Sequence, residues 1–227
     1  MAKKVKIGIK VPTSSELNRR YGNLLINPST QEMPKLWLPS RFLALNYQYG
    51  GGIPFGKILE VMGQSSSGKS LIAYDFAYCT QQLGGHVIWV DAEQSWDNSW
   101  AEQNGIELDK VTLINSTEIE TISDAIADLS ILWRSKLTHN EPILIVVDSI
   151  AAMDCTENIN IKMTDGKAEM GGRAKALYKM FRIRTELLSK LGITQIYINQ
   201  LRVALNVGFG QDNTTSTGGK ALGFYAS

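Results

Sequence analysis

Residues 58–82 read ILEVMGQSSSGKSLIAYDFAYCTQQ, an apolar run, a loop rich in glycine and serine, and a helical stretch. The loop Gly63–Ser70 matches the phosphate-binding pattern G-x-x-x-x-G-K-[ST] and has the strand before it and the helix after it that the pattern requires. Glycines let the backbone wrap closely around phosphate oxygens, and the loop amides converge at a helix N-terminus, which favours anions. The stretch therefore predicts a nucleotide-binding α/β fold, against the alternative of an ordinary Gly-Ser turn.

Two side chains of this loop have specific expected roles. Lys69 is predicted to lie along the β and γ phosphates of ATP, and Ser70 to offer its hydroxyl to Mg²⁺. The other loop residues are expected to contact the nucleotide mainly through their backbone. The predicted nucleotide-binding residues are Gly63, Gln64, Ser65, Ser66, Ser67, Gly68, Lys69, Ser70 and Leu71.

Short apolar runs rich in β-branched residues alternate with helical segments along the chain. The predicted strands are Ile58–Met62, Val87–Asp91, Ile143–Asp148 and Gln195–Asn199, and the predicted helices are Lys69–Gln82, Glu118–Lys136 and Ala174–Leu191. This alternation predicts an α/β fold in which a mainly parallel, twisted sheet has helices on both faces. Ligands of such sheets lie at the carboxyl ends of the strands.

Two of the predicted strands end in an acid. The run ILIVVD closes on Asp148, a pattern that holds Mg²⁺ directly or through water when it accompanies a phosphate-binding loop. The run VIWVD ends at Asp91 and is followed by Ala92 and Glu93. A carboxylate at that edge can accept a proton from water or orient the water for attack on the γ phosphate, although Glu93 could also be an exposed turn acid.

The composition bounds the class of protein. With 227 residues, 44% hydrophobic and 20% charged, the chain is long enough for a large globular domain. A net charge of +1 gives no whole-molecule argument for nucleic acid or membrane. The two cysteines, Cys79 and Cys155, and the two histidines, His86 and His139, match neither a disulfide framework nor a common metal spacing. No apolar run approaches 18 residues, and we expect a cytoplasmic protein.

Charge is segregated at the N-terminus, where the first 20 residues hold six Lys or Arg against the single acid Glu16. We expect residues 1–40 to form a basic arm, a short helix from about Ser14 to Tyr21 behind a serine cap, and a connector. The arm either contacts phosphate or a neighbouring subunit, or is a solvated terminus. The main domain is predicted to span residues 41–227.

Five blocks in order make the resemblance specific: the sequence resembles the RecA family of recombinases, bacterial and phage ATPases that pair homologous DNA. The resemblance runs from about Leu17 to Ser227 and implies a RecA-like P-loop ATPase core. The blocks are GGIPFGKILEVMGQSSSGKS, VIWVDAEQSWD, LIVVDSIAAM, IYINQLRVALNVGFG and TGGKALGFYAS.

The resemblance implies roles for further residues. Glu93 would be the catalytic carboxylate, assisted by Lys69, and Gln200 would sense the γ phosphate and pass its state to a DNA-binding loop. Asp97 and Trp100 fall where the family contacts adenine, with Trp100 in place of the more usual tyrosine. Phe224 would lie at a subunit interface.

Two segments resemble the family's DNA-binding loops, at about 157–172 and 201–218, where the alternative is ordinary surface loops. Residues 156–182 carry six Lys or Arg against three acids, so this part of a near-neutral chain is basic. Amides and cations there would bind phosphates of any sequence, with apolar side chains between bases. The predicted DNA-binding residues are Met170, Gly171, Gly172, Arg173, Lys175, Arg182, Arg202, Asn206, Gly208, Phe209 and Gly210.

The resemblance implies an ATP-dependent recombinase that forms a helical filament on single-stranded DNA and exchanges strands with homologous duplex. The alternatives are an ATP-binding paralogue or mediator without strand exchange, and a hexameric helicase. Ala204 stands where the family commonly has lysine, and the sequence stops at FYAS, where the family continues. Because a chain that ends within a sheet leaves strand edges unpaired, we expect a fragment or one piece of a larger protein.

Overall fold

The structure is a computed structural model of the chain, and it describes residues 13–21, 36–160, 171–203, 214–216 and 221–226. The chain divides into two compact units, residues 1–35 and 36–227. In the first unit, helix α1 spans Ser14–Tyr21, as predicted. Its cap is Thr13 and not a serine, because the Thr13 amide donates to Glu16 Oε2 at 2.9 Å and the Glu16 amide donates to Thr13 Oγ1 at 3.3 Å.

The second unit contains the predicted main domain together with residues 36–40, which the sequence assigned to the connector. Its strands are β1 Trp37–Leu38, β2 Ile53–Pro54, β3 Ile58–Gly63, β4 His86–Asp91, β5 Val111–Ile114, β6 Ile143–Asp148, β7 Thr194–Val203 and β8 Thr214–Ser216. Its helices are α2 Leu43–Gln48, α3 Lys69–Gln82, α4 Asn98–Gln103, α5 Ile119–Lys136, α6 Thr156–Ile159, α7 Gly172–Lys190 and α8 Ala221–Tyr225.

Five parallel strands form the main sheet, in the order β3-β7-β6-β4-β5, and the predicted fold class is confirmed. Strands β4 and β6 run in register to their last residues, which pairs Asp91 with Asp148. Strand β3 pairs with β7 up to Gly63, opposite Gln200. The carboxyl ends of these four strands therefore place the predicted site residues at one edge of the sheet.

Two apolar clusters cover the two faces of the sheet. In β6, Ile143, Ile145 and Val147 pack in the cluster that contains α5 and α7, whereas Leu144 and Val146 pack in the cluster that contains α3. All five side chains are fully buried. Because successive side chains of a strand point to opposite faces, burial on both faces accounts for the unbroken apolar runs.

Strand β7 is longer than the sequence indicated. It was predicted to end at Asn199, but it continues to Val203 and pairs antiparallel with β8, from Leu201 opposite Ser216 to Val203 opposite Thr214. The start of the second predicted DNA-binding loop is therefore a strand, and Gln200 lies inside β7. Among the residues described, no helix is long and apolar enough to cross a bilayer.

Candidate nucleotide-binding site

The loop between β3 and α3 has the backbone that a phosphate-binding loop needs. Gly68 precedes α3 with φ 84° and ψ 15°, a left-handed conformation that favours glycine, and Ser66 also has a positive φ of 58°. A Cβ at Gly63 would lie 2.5 Å from Ser67 Oγ, so the Ser67 side chain would have to turn to admit a side chain there. Left-handed residues among successive amides form concavities that bind anions, and Ser66 and Gly68 give this loop such a backbone.

Lys69 lies against its own loop. Its ammonium donates to the Gln64 carbonyl at 2.6 Å, and the residue is only 9% exposed. A buried cation at the start of a helix adds to the positive potential of the loop amides. The contact of Lys69 with the β and γ phosphates stays a prediction.

Ser70 and Asp148 come together at the first turn of α3 and the end of β6. Ser70 Oγ donates to Asp148 Oδ2 at 2.6 Å. Burial raises the pKa of Asp148, and the charges of Glu93 and Asp91 also raise it, whereas the Ser70 hydrogen bond and Lys69 lower it. Because the buried carboxylate lies near two other acids, a divalent cation would stabilise it, and the hydroxyl and carboxylate oxygens are the ligand types that Mg²⁺ prefers.

Glu93 lies in the turn after β4 and is bound to the end of β6. The amides of Ala92 and Glu93 donate to the Asp148 carbonyl at 3.0 and 3.3 Å. The Ser149 hydroxyl donates to Glu93 Oε1, and Gln200 Nε2 donates to the same oxygen at 3.0 Å. The structure thus brings Glu93 together with Asp148 and Gln200, and it adds Ser149, which sequence reasoning missed although it stands within the block LIVVDSIAAM.

The residues predicted to contact adenine lie at the start of α4. Asp97 caps this helix, since its Oδ1 accepts from the Trp100 amide at 2.9 Å. The Trp100 residue is 50% exposed, which leaves ring surface on which a base can stack. Asp91 holds the preceding turn by accepting from the amides of Ser95 and Trp96 at 2.9 and 3.0 Å. The adenine contact itself stays a prediction.

Some of the predicted DNA-binding residues lie at the start of α7. Gly171 precedes the helix in a left-handed conformation and Gly172 begins it, while Lys175 and Arg182 are exposed around one shallow groove with Tyr178. Arg173 is half-buried, and its Nη2 donates to the Ile150 carbonyl at 2.7 Å. Outside the described residues lie Met170, Asn206, Gly208, Phe209 and Gly210, and the side chains of Arg202 and Phe224.

Together these features define a P-loop nucleotide-binding protein. The loop Gly63–Ser70 follows β3, Asp148 ends β6, and β7 lies between the two strands with Gln200 opposite Gly63. The family model described as the RecA N-terminal domain matches residues 13–227. The chain belongs to the RecA family, which confirms the assignment made from its five sequence blocks.

Curated relatives named Protein RecA are similar to this chain over most of its length. That of Leifsonia xyli subsp. xyli is 33% identical over 220 residues, 96% of this chain and 59% of the relative. That of Mycobacteroides abscessus is 35% identical over 191 residues, 84% of this chain and 52% of the relative. That of Salinispora arenicola is 36% identical over 191 residues, 84% of this chain and 52% of the relative. The chain spans about half the length of the curated relatives it matches.

Proposed function

We propose that this chain is the ATPase core of a DNA-recombination protein, which binds single-stranded DNA as a helical filament, hydrolyses ATP and promotes pairing and strand exchange with homologous duplex. The observation that carries the proposal is that Glu93 contacts Gln200 through its side chain and Asp148 through its backbone beside the phosphate-binding loop, in a chain of the RecA family. We also propose that the protein is cytoplasmic and that it self-associates through surfaces that include Phe224.

The nucleotide would be held by the loop Gly63–Ser70, with Lys69 along the β and γ phosphates and Leu71 following at the start of α3. Asp97 and Trp100 would contact the adenine. Ser70 and Asp148 would hold Mg²⁺, which when bound neutralises charge on the β and γ phosphates. The buried Lys69 and the first-turn amides of α3 support this placement because all of them present positive charge to the loop.

Hydrolysis would use Glu93 to orient and deprotonate the attacking water. The water oxygen bonds to the γ phosphorus as the bond between that phosphorus and the bridging oxygen of the β phosphate breaks. The bridging electron pair leaves with ADP, the proton passes to Glu93 and then to solvent, and inorganic phosphate is released. Gln200 would act as the sensor, since it adjoins the loop in register with Gly63 and its chain enters the β7–β8 hairpin at the next residue.

Single-stranded DNA would bind at the start of α7 and at the segment beyond β7. Exposed cations at Lys175 and Arg182 lie on one face of α7, with Tyr178 between them as an aromatic surface. Cations bind phosphates of any sequence, and aromatic rings stack on any base, so this face suits a partner of unrestricted sequence.

An ATPase assay with and without single-stranded DNA tests the proposal, with the wild-type chain and Glu93→Gln compared. The wild type is expected to hydrolyse ATP faster when DNA is present. Glu93→Gln is expected to bind ATP and assemble, yet to hydrolyse it about 10² to 10⁴-fold more slowly, because general-base assistance contributes that much. Unchanged hydrolysis by the variant would place the catalytic carboxylate elsewhere.

Electron microscopy with a non-hydrolysable ATP analogue and single-stranded DNA tests the assembly. Open filaments support the proposal, whereas closed rings indicate the helicase alternative. Filaments with DNA-stimulated hydrolysis but without strand exchange would instead indicate a mediator.

A further inference from the structure

The junction between Asp148 and Ser149 holds Glu93 through both its backbone and its side chain. We propose that Ser149 is a positioning residue for ATP hydrolysis: its hydroxyl fixes the carboxylate of Glu93 in the orientation from which it acts on water. The inference rests on the proposed function, because it assigns Ser149 a part in the reaction that Glu93 would perform.

Ser149 is well placed to fix another side chain because burial and a backbone hydrogen bond restrain it. The residue is fully buried, and it follows directly after the last paired residue of β6. Its carbonyl accepts from the Ala152 amide at 3.1 Å and so begins the 3₁₀ turn Ile150–Ala152. A buried serine with a fixed backbone has few accessible rotamers, and its hydroxyl therefore donates in one direction, toward Glu93 Oε1.

Glu93 needs such a partner because its backbone contacts do not fix its side chain, and its other side-chain donor, Gln200, is the proposed γ-phosphate sensor. The residue is exposed, and it lies in a turn whose next residue, Gln94, has a positive φ of 54°. Backbone bonds to the Asp148 carbonyl hold the main chain of this turn, but they do not set the side-chain torsions of Glu93. An exposed glutamate loses rotamer entropy when it is ordered, and a hydrogen bond from a rigid donor offsets that loss.

Ser149 and Gln200, the two donors to Glu93 Oε1, would have different roles in the proposed function. Gln200 would turn its amide to the γ phosphate when ATP is bound, which breaks its bond to Glu93. The Ser149 hydroxyl has no such second duty, so its bond would persist through the reaction. Because the carboxylate is rigid, a hydrogen bond from Ser149 to Oε1 would also restrain the direction of Oε2, the other carboxylate oxygen of Glu93.

The test is a double-mutant cycle on Ser149→Ala and Glu93→Gln, with ATP affinity and ATP turnover measured separately. Ser149→Ala is expected to lower kcat for DNA-stimulated hydrolysis about 10-fold, while the Kd for a fluorescent ATP analogue stays within about twofold, because the loop residues are untouched. In the Glu93→Gln background, Ser149→Ala is expected to have no further effect on kcat, since a positioning residue acts only through the group it positions.

Ser123→Ala in α5 is the matched control, because it also removes a buried serine hydroxyl, one that accepts from Arg184 Nε of α7. Its kcat is expected to stay at the wild-type value. A kcat of Ser149→Ala within twofold of the wild type would overturn the inference. The inference would also be overturned if Ser149→Ala lowered kcat by the same factor in the wild-type and Glu93→Gln backgrounds. Those outcomes leave the proposed function standing, whereas a wild type that hydrolyses no ATP overturns both.

Discussion

Gln200 Nε2 lies 3.0 Å from Glu93 Oε1 and donates a hydrogen bond to it. Gln200 belongs to β7 and Glu93 to the turn after β4, and β6 lies between these two strands in the sheet. Gln200 is also in register with Gly63, the first residue of the phosphate-binding loop. One side-chain amide therefore lies within reach of the carboxylate, beside the loop, and directly before the β7–β8 hairpin. Under the proposed function, exchange of this amide between Glu93 and the γ phosphate would couple nucleotide state to DNA binding.

We predict that Gln200→Ala binds ATP normally but loses the preference of the ATP-bound protein for single-stranded DNA. By reciprocity the lost coupling should be about 1 to 3 kcal/mol. Titration of labelled single-stranded DNA with an ATP analogue and with ADP measures the ratio of affinities, and Gln82→Ala, an exposed glutamine at the end of α3, is the control. If wild type and Gln200→Ala give the same ratio, Gln200 is no switch.

We predict that Lys69→Ala abolishes ATP turnover. Its ammonium is buried against the Gln64 carbonyl, and no neutral side chain can replace a cation placed along the β and γ phosphates. ATP turnover and binding of a fluorescent ATP analogue measure the loss. Lys190→Ala removes an exposed cation that pairs with Glu186 and should leave both unchanged. Normal turnover by Lys69→Ala would remove the assignment of the loop.

Much of the fold could be predicted because its local and global signals agree. Strand β6 is a continuous run of apolar residues up to Asp148 because it is buried on both faces. Both β6 and α3 begin and end at the residues predicted from the sequence. Strand β5 was missed because Val111–Ile114 is a short, half-buried edge strand that includes the polar Thr112. The extension of β7 depends on β8, a partner more than ten residues further along the chain.

The candidate site was predictable as a set of residues but not as a set of contacts. The strand ends indicated Asp148 and Glu93, because parallel strands end at one edge of the sheet. The bonds of Ser149 and Gln200 to Glu93 join three strands and depend on side-chain torsions, for which a local pattern gives no signal. The same holds for the Thr13 cap of α1, where both serine and threonine are good caps.

We predict that His86 makes the stability of the protein depend on pH between about 6.5 and 4. Burial, chiefly, and the charge of Lys136 lower its pKa to about 4, although Asp109 raises it. Its ring stacks on Trp133 with centroids 3.5 Å apart, and Nε2 lies 2.8 Å from Thr112 Oγ1. As pH falls below about 6.5, the unfolded chain binds a proton that the folded protein does not, so the free energy of unfolding falls until about pH 4 and then levels off.

The expected loss between pH 7.5 and 4.5 is about 2 to 3 kcal/mol, since about two pH units of that range lie below 6.5 and each corresponds to about 1.4 kcal/mol. Urea unfolding at pH 7.5, 5.5 and 4.5 measures it. His86→Phe keeps a flat ring against Trp133 and removes the titration, so the wild type should lose more stability than this variant over the same range. His139→Asn, which changes the other histidine, should behave as the wild type. Equal pH dependence in wild type and His86→Phe would contradict the prediction.

We predict that Asp75→Ala destabilises the fold by about 2 to 4 kcal/mol, because it breaks a buried ionic cluster between α3 and residues 40–41. The Asp75 side chain is 1% exposed and accepts from Ser40 Oγ at 2.5 Å, from the Arg41 amide at 3.2 Å and from Arg41 Nε at 2.7 Å. The guanidinium also lies 4.2 Å from the centre of the Tyr78 ring. Removal of the carboxylate leaves the Ser40 hydroxyl buried without its acceptor, while Arg41, at 43% exposure, can still reach water.

Asp124→Ala is the control, since its side chain is 76% exposed and its pair with Arg184 should contribute less than about 1 kcal/mol. Urea unfolding midpoints at constant m-value compare the two variants, and equal midpoints would show that the buried cluster contributes no more than a surface ion pair.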